Sequence, residues 1–236
     1  MRVRIMYAKT AAGRFLSHLD LMHAWERAIR RTGAPLAFSA GYNPHPKLSF
    51  GSALSVGTTS DGEYMDVELA QPVETADFRR RLAEALPPAL ALLDMAEIPV
   101  RSESLMAMID RARYQVTVTL AQSVSPEALA AAVEQLLALE EIKVLRFKKN
   151  SRDKREVDIR PGILALSGEV SGQREITLSL LVQTGSVGNV RPDEVVLGLA
   201  QTGLPVVEEI KRIHRLGLYV ADGETLASPL VCGWRE

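Results

Sequence analysis

The fold is decided by residues 2–31, which read RVRIMYAKTAAGRFLSHLDLMHAWERAIRR. Apolar side chains stand at every second position from Val3 to Tyr7, and this period predicts a β-strand that is buried on one face. Ser17 and Asp20, three residues apart, are an acidic version of the capping box that begins many helices. The stretch therefore predicts a strand followed by an amphipathic helix.

The residues up to 100 continue this alternation of strands and helices. We expect strand-like segments within residues 36–50, a strand at Tyr64–Leu69, a second helix at Asp77–Ala85 and a further strand at Ala91–Val100. The resulting order, β-α-β-β-α-β, is that of the split βαβ unit, which is the ferredoxin-like fold.

The second half of the chain repeats this order without obvious sequence identity to the first. A strand begins at Tyr114, and Ser125 and Pro126 are typical of a helix start. The remaining elements are expected as strands near residues 142–147, 157–166 and 176–182, a helix from residue 192, and a final strand at residues 211–220.

The sequence thus predicts an α+β fold of tandem ferredoxin-like units, with antiparallel sheets and helices on one face. The first unit is expected at residues 1–100, a connector at 101–112, the second unit at 113–221, and a C-terminal tail at 222–236. A single larger α+β domain with one continuous sheet is the alternative, because the connector is short and not strongly polar.

The composition is that of an ordinary globular protein. Of the 236 residues, 47% are apolar and 24% are charged, and the formal net charge of −1 provides no overall field for nucleic acid or membrane. A single cysteine excludes an internal disulfide framework. Because the sequence has neither a long apolar run nor a signal-peptide pattern, we expect a cytoplasmic protein that does not contact membranes.

A stiff, polar loop follows the first helix and reads GYNPHPKLSFG at residues 41–51. Its prolines on either side of His45 hold both Asn43 and His45 in extended geometry. Such a loop loses little entropy on binding, so Asn43, His45 and Lys47 are candidate ligand-binding residues. The alternative is a rigid connection in which His45 bonds locally and Asn43 forms a turn.

Candidate catalytic residues are His18, Asp20 and His45. His18 and Asp20 could form an oriented acid–base pair, although the cap and the helix dipole also account for Asp20. His18 and His23 lie about 140° apart around a helix and cannot share one metal ion from one face. Since metal-binding spacings, a phosphate-binding glycine loop and a nucleophile motif are missing from the sequence, we expect no metal and no cofactor.

Positive charge is concentrated between residues 143 and 155, which favours a protruding basic hairpin. Such hairpins often bind nucleic-acid backbones, and Lys148, Lys149 and Arg152 are the candidate contacts. The alternative is a solvated hairpin whose charges only confer solubility. Because aromatic residues make up 5% of the chain, exposed platforms for base stacking are expected to be scarce.

Arg2 and Arg4 stand on the face of the first strand opposite its apolar side chains. In a ferredoxin-like unit that face is open. We therefore expect these two arginines to be accessible to a ligand.

With these residues in view, the chain resembles the radical-SAM-linked proteins of unknown function, the DUF2344 type. The resemblance rests on FLSHLDLM at residues 15–22, PLAFSAGYNPHPKLSFG at 35–51 and GEYMDV at 62–67. In that family the module occurs alone or joined to a radical SAM protein. The chain lacks the CxxxCxxC motif of an iron–sulfur centre, so the resemblance implies a radical SAM protein as partner, with the chemistry on another chain.

A more distant resemblance, to the ferredoxin-like units of CRISPR repeat-RNA endonucleases, agrees with the predicted fold. It is a likeness of fold and carries no catalytic residue over to this chain.

The sequence supports three alternative hypotheses for function. The first is a non-catalytic accessory module that binds RNA, or an RNA-containing assembly, and a radical SAM partner. The second is an RNA-processing or RNA-modifying enzyme, with His18 or His45 as general acid or base and Lys47 or Arg27 at a phosphate; it requires His18, Asp20 and His45 in one pocket. The third is a scaffold that binds only protein. The first assigns binding to residues Asn43, His45, Lys47, Arg27, Lys148, Lys149 and Arg152.

Overall fold

The protein is described by a computed structural model over residues 1–147 and 151–231. Its elements, in chain order, are β1 Arg2–Lys9, α1 His18–Arg31, β2 Leu48–Phe50, β3 Thr58–Glu68, α2 Thr75–Ala85, β4 Leu90–Ile98, α3 Leu105–Met108, β5 Arg111–Leu120, α4 Pro126–Ala138, β6 Lys143–Phe147, β7 Lys154–Asp158, β8 Ile163–Val170, β9 Glu175–Gln183, α5 Pro192–Leu199, β10 Val207–Asp222 and β11 Thr225–Ala227. The fold is mixed α/β, and its strands pair mostly antiparallel. Within the described residues, no helix is long and apolar enough to span a membrane.

The chain forms two compact units. The first comprises residues 1–111 together with the segment from Arg215, and the second comprises Ala112–His214. The division into ferredoxin-like units at residues 1–100 and 113–221 stays a prediction. In the structure, the C-terminal part of β10 lies with the first unit.

In the first unit the strands follow the order β4-β1-β3, and β2 and β10 each pair with β3. The element order from β1 to β4 is the predicted β-α-β-β-α-β. Helices α1 and α2 pack on one apolar cluster, to which β1 contributes Val3, Ile5 and Tyr7. Trp25 of α1 meets the Tyr7 ring edge-on, with the ring centroids 5.0 Å apart. The alternation of β1 therefore places its odd-numbered side chains under the helices.

The even-numbered arginines of β1 lie in the interior, and the prediction of an open face is wrong. Arg4 is 1% exposed; its guanidinium donates to both carboxylate oxygens of Asp66, at 2.8 and 3.0 Å, and to the carbonyls of Pro229 and Glu103. Arg2 shares the same carboxylate at 2.7 Å. Chain segments that are distant in sequence cover this face, and local alternation cannot reveal such coverage.

The second unit has the strand order β10-β5-β9-β8, with β6 and β7 as a separate antiparallel hairpin. Helix α4 lies on β8, where the absence of a side chain at Gly168 makes room for Leu129. The single strand predicted at residues 157–166 is wrong. It is broken by a turn at Arg160–Gly162, in which the Asp158 carboxylate accepts from the Arg160 amide at 3.0 Å and Pro161 has no N–H for a ladder.

Candidate functional site

The proline loop lies on the surface and is closed by its own backbone. The Ser39 amide donates to the His45 carbonyl at 2.9 Å, and the His45 amide donates to the Ser39 hydroxyl at 3.0 Å. At the tip Tyr42 is fully exposed, and Asn43 and His45 are exposed beside it. The loop thus presents an aromatic ring, an amide and an imidazole together to solvent.

Lys47 and Arg27, two further predicted binding residues, differ in how they are engaged. The Lys47 ammonium forms an ion pair with Glu68 at 2.8 Å on the surface. Arg27 is exposed on α1, where its charge helps to lower the pKa of Asp20. Surface pairs of this kind are weak, so Lys47 can exchange its partner for a phosphate at little cost.

Asp20 belongs to the helix cap, and the predicted capping box is confirmed. Its carboxylate accepts from the Ser17 hydroxyl at 2.6 Å and from the Ser17 amide at 3.2 Å, while the Ser17 hydroxyl accepts from the Asp20 amide. These hydrogen bonds from Ser17 lower the pKa of the Asp20 carboxyl below its ordinary value. Its structural task is therefore to hold the start of α1.

His18 lies beside a small polar cavity of about 10 Å³ in the first unit. Its ring meets Phe50 edge-on at 5.3 Å, and Tyr7, Lys9 and Glu63 line the same cavity. Among the described residues, neither Asp20 nor His45 lines it. The structure brings His18 to a cavity without its two predicted catalytic companions.

Two buried side chains define the electrostatics of this cavity. Lys9 is 2% exposed, and its ammonium donates to the carbonyls of Arg14 and Leu16 at 3.2 and 3.1 Å. Burial lowers the pKa of Lys9. Tyr7 is also 2% exposed, and burial, together with the Glu63 carboxylate, raises the pKa of its phenol well above the ordinary value. The phenol therefore stays neutral and can donate a hydrogen bond.

The negative charge of Glu63 is balanced by an ion pair with Arg215. Both of its carboxylate oxygens are 3.0 Å from one guanidinium nitrogen of Arg215. That nitrogen also donates to the carbonyl of Ser52, and the second terminal nitrogen donates to the carbonyl of Ala53. The ion pair thereby fastens the 52–53 segment that forms one wall of the cavity.

Tyr7, Lys9 and Glu63 are members of the cavity that the sequence patterns did not predict. A signal was available for one of them, because Lys9 continues the inward-facing period of Val3, Ile5 and Tyr7. A lysine on the apolar face of a strand is rarely fully buried without a partner. In the described part of the chain, no group of three or more His, Cys, Asp or Glu side chains is placed to bind a metal ion.

The basic hairpin of the second unit is formed by β6 and β7. Its anchor is Arg146, whose guanidinium donates to Glu194 at 2.7 Å and to the carbonyl of Asn189 at 2.6 Å. Phe147 is 68% exposed, and the Lys154 ammonium stands 5.2 Å from the centre of its ring. The hairpin therefore carries an exposed aromatic ring beside a cation.

One of the three residues predicted to bind nucleic acid here lies in the described part of the chain. Arg152 is exposed, while Lys148 and Lys149 lie outside the described residues. Exposed aromatic rings are expected to be scarce, and the described residues expose four of them. Besides Phe147 and Tyr42, Phe15 is 73% exposed and Phe38 is 42% exposed, and each has an arginine guanidinium over its ring, at 5.1 and 5.6 Å. Composition counts aromatic residues but cannot locate them.

These features define a mixed α/β protein whose candidate sites are exposed aromatic and basic surfaces and one small polar cavity. The chain belongs to the DUF2344 family, described as an uncharacterized protein conserved in bacteria, whose sequence profile matches residues 2–192. No curated protein sequence matches the chain.

Among solved structures, the chain is similar to one chain of a Cbf5–Nop10–Gar1 complex, with a TM-score of 0.49, 12% identity and coverage of 90% of this chain. It is similar at 11% identity and the same TM-score to a chain of the archaeal box H/ACA sRNP Nop10–Cbf5 complex. The chain spans 47% and 46% of those two chains. A protein from Galdieria sulphuraria matches with a TM-score of 0.22, 13% identity, and coverage of 85% of this chain and 90% of that one.

Proposed function

We propose that this protein is a non-catalytic accessory module that binds RNA, or an RNA-containing assembly, through the hairpin of its second unit. The observation that carries the proposal is the exposed Phe147 ring with the Lys154 ammonium 5.2 Å from its centre. An exposed ring stacks on a base of any sequence, and neighbouring cations neutralise the phosphates on either side.

The anchor of the hairpin supports this use. The Arg146 and Glu194 side chains are 15% and 8% exposed, so their pair is largely shielded from water. A strand held by such a pair loses little freedom when a ligand binds, which favours affinity. Arg152 is exposed and extends the cationic surface. Lys148 and Lys149, outside the described residues, are proposed as RNA contacts on the sequence alone.

The proline loop of the first unit is proposed as a second contact. Tyr42 offers a fully exposed ring, and Asn43 and His45 offer hydrogen-bonding groups beside it. Lys47 and Arg27 would supply charge to a passing backbone.

Tandem ferredoxin-like units are the fold we propose for this module. The strand orders β4-β1-β3-β2 and β10-β5-β9-β8 each correspond to the order 4-1-3-2 of the split βαβ unit. The basic hairpin is then an insertion between the first helix and second strand of the second unit.

A radical SAM protein is proposed as partner, on the resemblance of residues 15–22 and 35–51 alone. A cytoplasmic location is proposed with it. Purification of the tagged chain, with and without nuclease, separates the hypotheses: a scaffold that binds only protein keeps its partner after digestion, and an RNA-mediated contact loses it.

A second candidate function, an RNA-processing enzyme, is favoured by one observation, that His18 lines the same cavity as Lys9 and Tyr7. The hypothesis from the sequence required His18, Asp20 and His45 in one pocket, and neither Asp20 nor His45 lines this cavity. Release of shortened fragments from end-labelled RNA, lost in His18→Gln, would favour it over the accessory module.

Filter binding to single-stranded RNA across a salt series tests the first proposal. We expect the double variant Arg152→Ala, Lys154→Ala to bind more weakly, and its plot of log K against log salt to be shallower by about 1.4, since each phosphate contact contributes about 0.7 on single strands.

The matched control is Arg79→Ala, Arg80→Ala, which removes the same charge from two arginines of α2 that are paired with Asp94 and Asp77. It should leave the slope unchanged. No binding by the wild type at low salt, or equal slopes for both double variants, would overturn the proposal.

A further inference from the structure

We propose that the polar cavity at the start of α1 is a phosphate-binding pocket, in which Tyr7 and Lys9 hold one terminal oxygen of a phosphate group and His18 binds a second. The pocket lies in the first unit and includes no residue of the hairpin.

Two buried polar side chains line the cavity and point to a ligand. Tyr7 and Lys9 are each 2% exposed. The Tyr7 phenol can donate to a group that enters the cavity, and a hydrogen bond to an anionic oxygen is stronger than one to a neutral acceptor.

Lys9 supplies the charge. Two of its three N–H groups donate to the carbonyls of Arg14 and Leu16, so one donor remains. The Glu63 carboxylate is already paired with Arg215, and the local balance of Lys9, Arg215 and Glu63 is one positive charge. The partial positive charge at the N-terminus of α1 is offset by the Asp20 carboxylate of the cap, so the attraction for an anion comes from Lys9. An anionic oxygen is therefore favoured over a neutral one.

The size of the cavity limits what can enter. A volume of about 10 Å³ accommodates one oxygen-sized atom. His18 is exposed and lines the cavity, so its imidazole marks the open side and can donate to a second oxygen of the same group. The body of the ligand must stay outside. This geometry suits a phosphate with free terminal oxygens, which either a mononucleotide or the phosphorylated end of an RNA provides.

Isothermal titration with inorganic phosphate, with AMP, and with an oligoribonucleotide carrying either a 5′-phosphate or a 5′-hydroxyl tests the pocket. All arms use the Phe147→Ala background, so that the hairpin does not contribute. We expect Tyr7→Phe to weaken phosphate binding by about tenfold to a hundredfold, the value of one hydrogen bond to a charged group. We expect His18→Gln to weaken it as well.

Tyr64→Phe is the matched control, because Tyr64 is 3% exposed in the neighbouring strand and its hydroxyl bonds to Ser228 away from the cavity. It should leave phosphate affinity unchanged. The melting temperature of each variant is measured beside its affinity, so that lost binding is distinguished from lost folding. Tighter binding of the 5′-phosphorylated oligonucleotide than of AMP would assign the pocket to RNA ends, and the reverse to mononucleotides.

Two results would overturn the proposal. One is no heat of binding with any phosphate at millimolar concentration, which would leave a cavity that holds only water. The other is equal affinity in Tyr7→Phe and the wild type. Neither result bears on the hairpin, and failure of the hairpin to bind RNA leaves this pocket untouched.

Discussion

At the scale of single residues, the sequence predicts which way β1 faces but not what its polar side chains do. The period from Val3 to Tyr7 correctly places these residues under the helices. Lys9 continues the same period, yet the two carbonyls that receive its ammonium come from the turn at residues 14–16. The partner of Glu63, Arg215, is 152 positions away in the chain. Local sequence patterns predict the face of a strand on which a side chain lies. The tertiary fold determines which distant residue it bonds or pairs with.

Asp20 gives a prediction at this scale. Hydrogen bonds from Ser17 lower its carboxyl pKa below the ordinary 3.8, so the ionised form is favoured in the folded state. The contribution of this group to stability is present above the ordinary pKa and is lost as the pH falls through the lowered value. We expect urea midpoints measured from pH 2 to pH 6 to fall less steeply on the acid side in Asp20→Asn.

The control for this effect is Ser17→Ala, which removes the hydroxyl that lowers the pKa. In that background Asp20→Asn should change the acid side of the curve much less. An identical pH profile for Asp20→Asn and the wild type would show that the cap does not bias the titration of Asp20.

At the scale of elements, the predicted helices α1 and α4 are confirmed because their caps are local. The boundary between β7 and β8 was missed because alternating apolar residues continue across Arg160–Gly162. Pro161 was the signal for that break. The sequence also could not predict the ion pair that anchors the hairpin. In the sequence Arg146 is one of several cations in a basic run, and its pairing with Glu194 depends on the fold.

The anchor gives the prediction for this scale. Arg146→Ala leaves the Glu194 carboxylate, which is 8% exposed, without its counter-charge. Breaking a buried pair on one side costs roughly 3 kcal/mol. We expect a loss of this order in the free energy of unfolding, measured by urea titration.

The double variant Arg146→Met, Glu194→Gln removes both charges and should recover most of that loss, because no unpaired charge remains. Equal destabilisation in the single and double variants would mean that packing, rather than charge, holds the hairpin.

At the scale of the whole molecule, sequence patterns predict the alternation of strands and helices and the family to which the chain belongs. They do not predict which distant segments meet. The enzyme hypothesis required His18, Asp20 and His45 in one pocket, and of these only His18 lines the cavity. Asp20 is held by its own cap, and His45 lies in a loop closed by Ser39. Surfaces for binding are better supported than a catalytic constellation.

The central claim, that the hairpin binds RNA by stacking, is tested most directly by replacing its ring. Phe147 and Leu145 lie on the same exposed face of β6 and are 68% and 63% exposed, so truncating either removes similar exposed surface. Stacking on a base is worth about 1–3 kcal/mol, and a leucine cannot supply it. In filter binding to single-stranded RNA, we predict that Phe147→Ala lowers affinity by about fivefold or more, while Leu145→Ala changes it by less than about twofold. Equal affinities for the two variants would contradict the account.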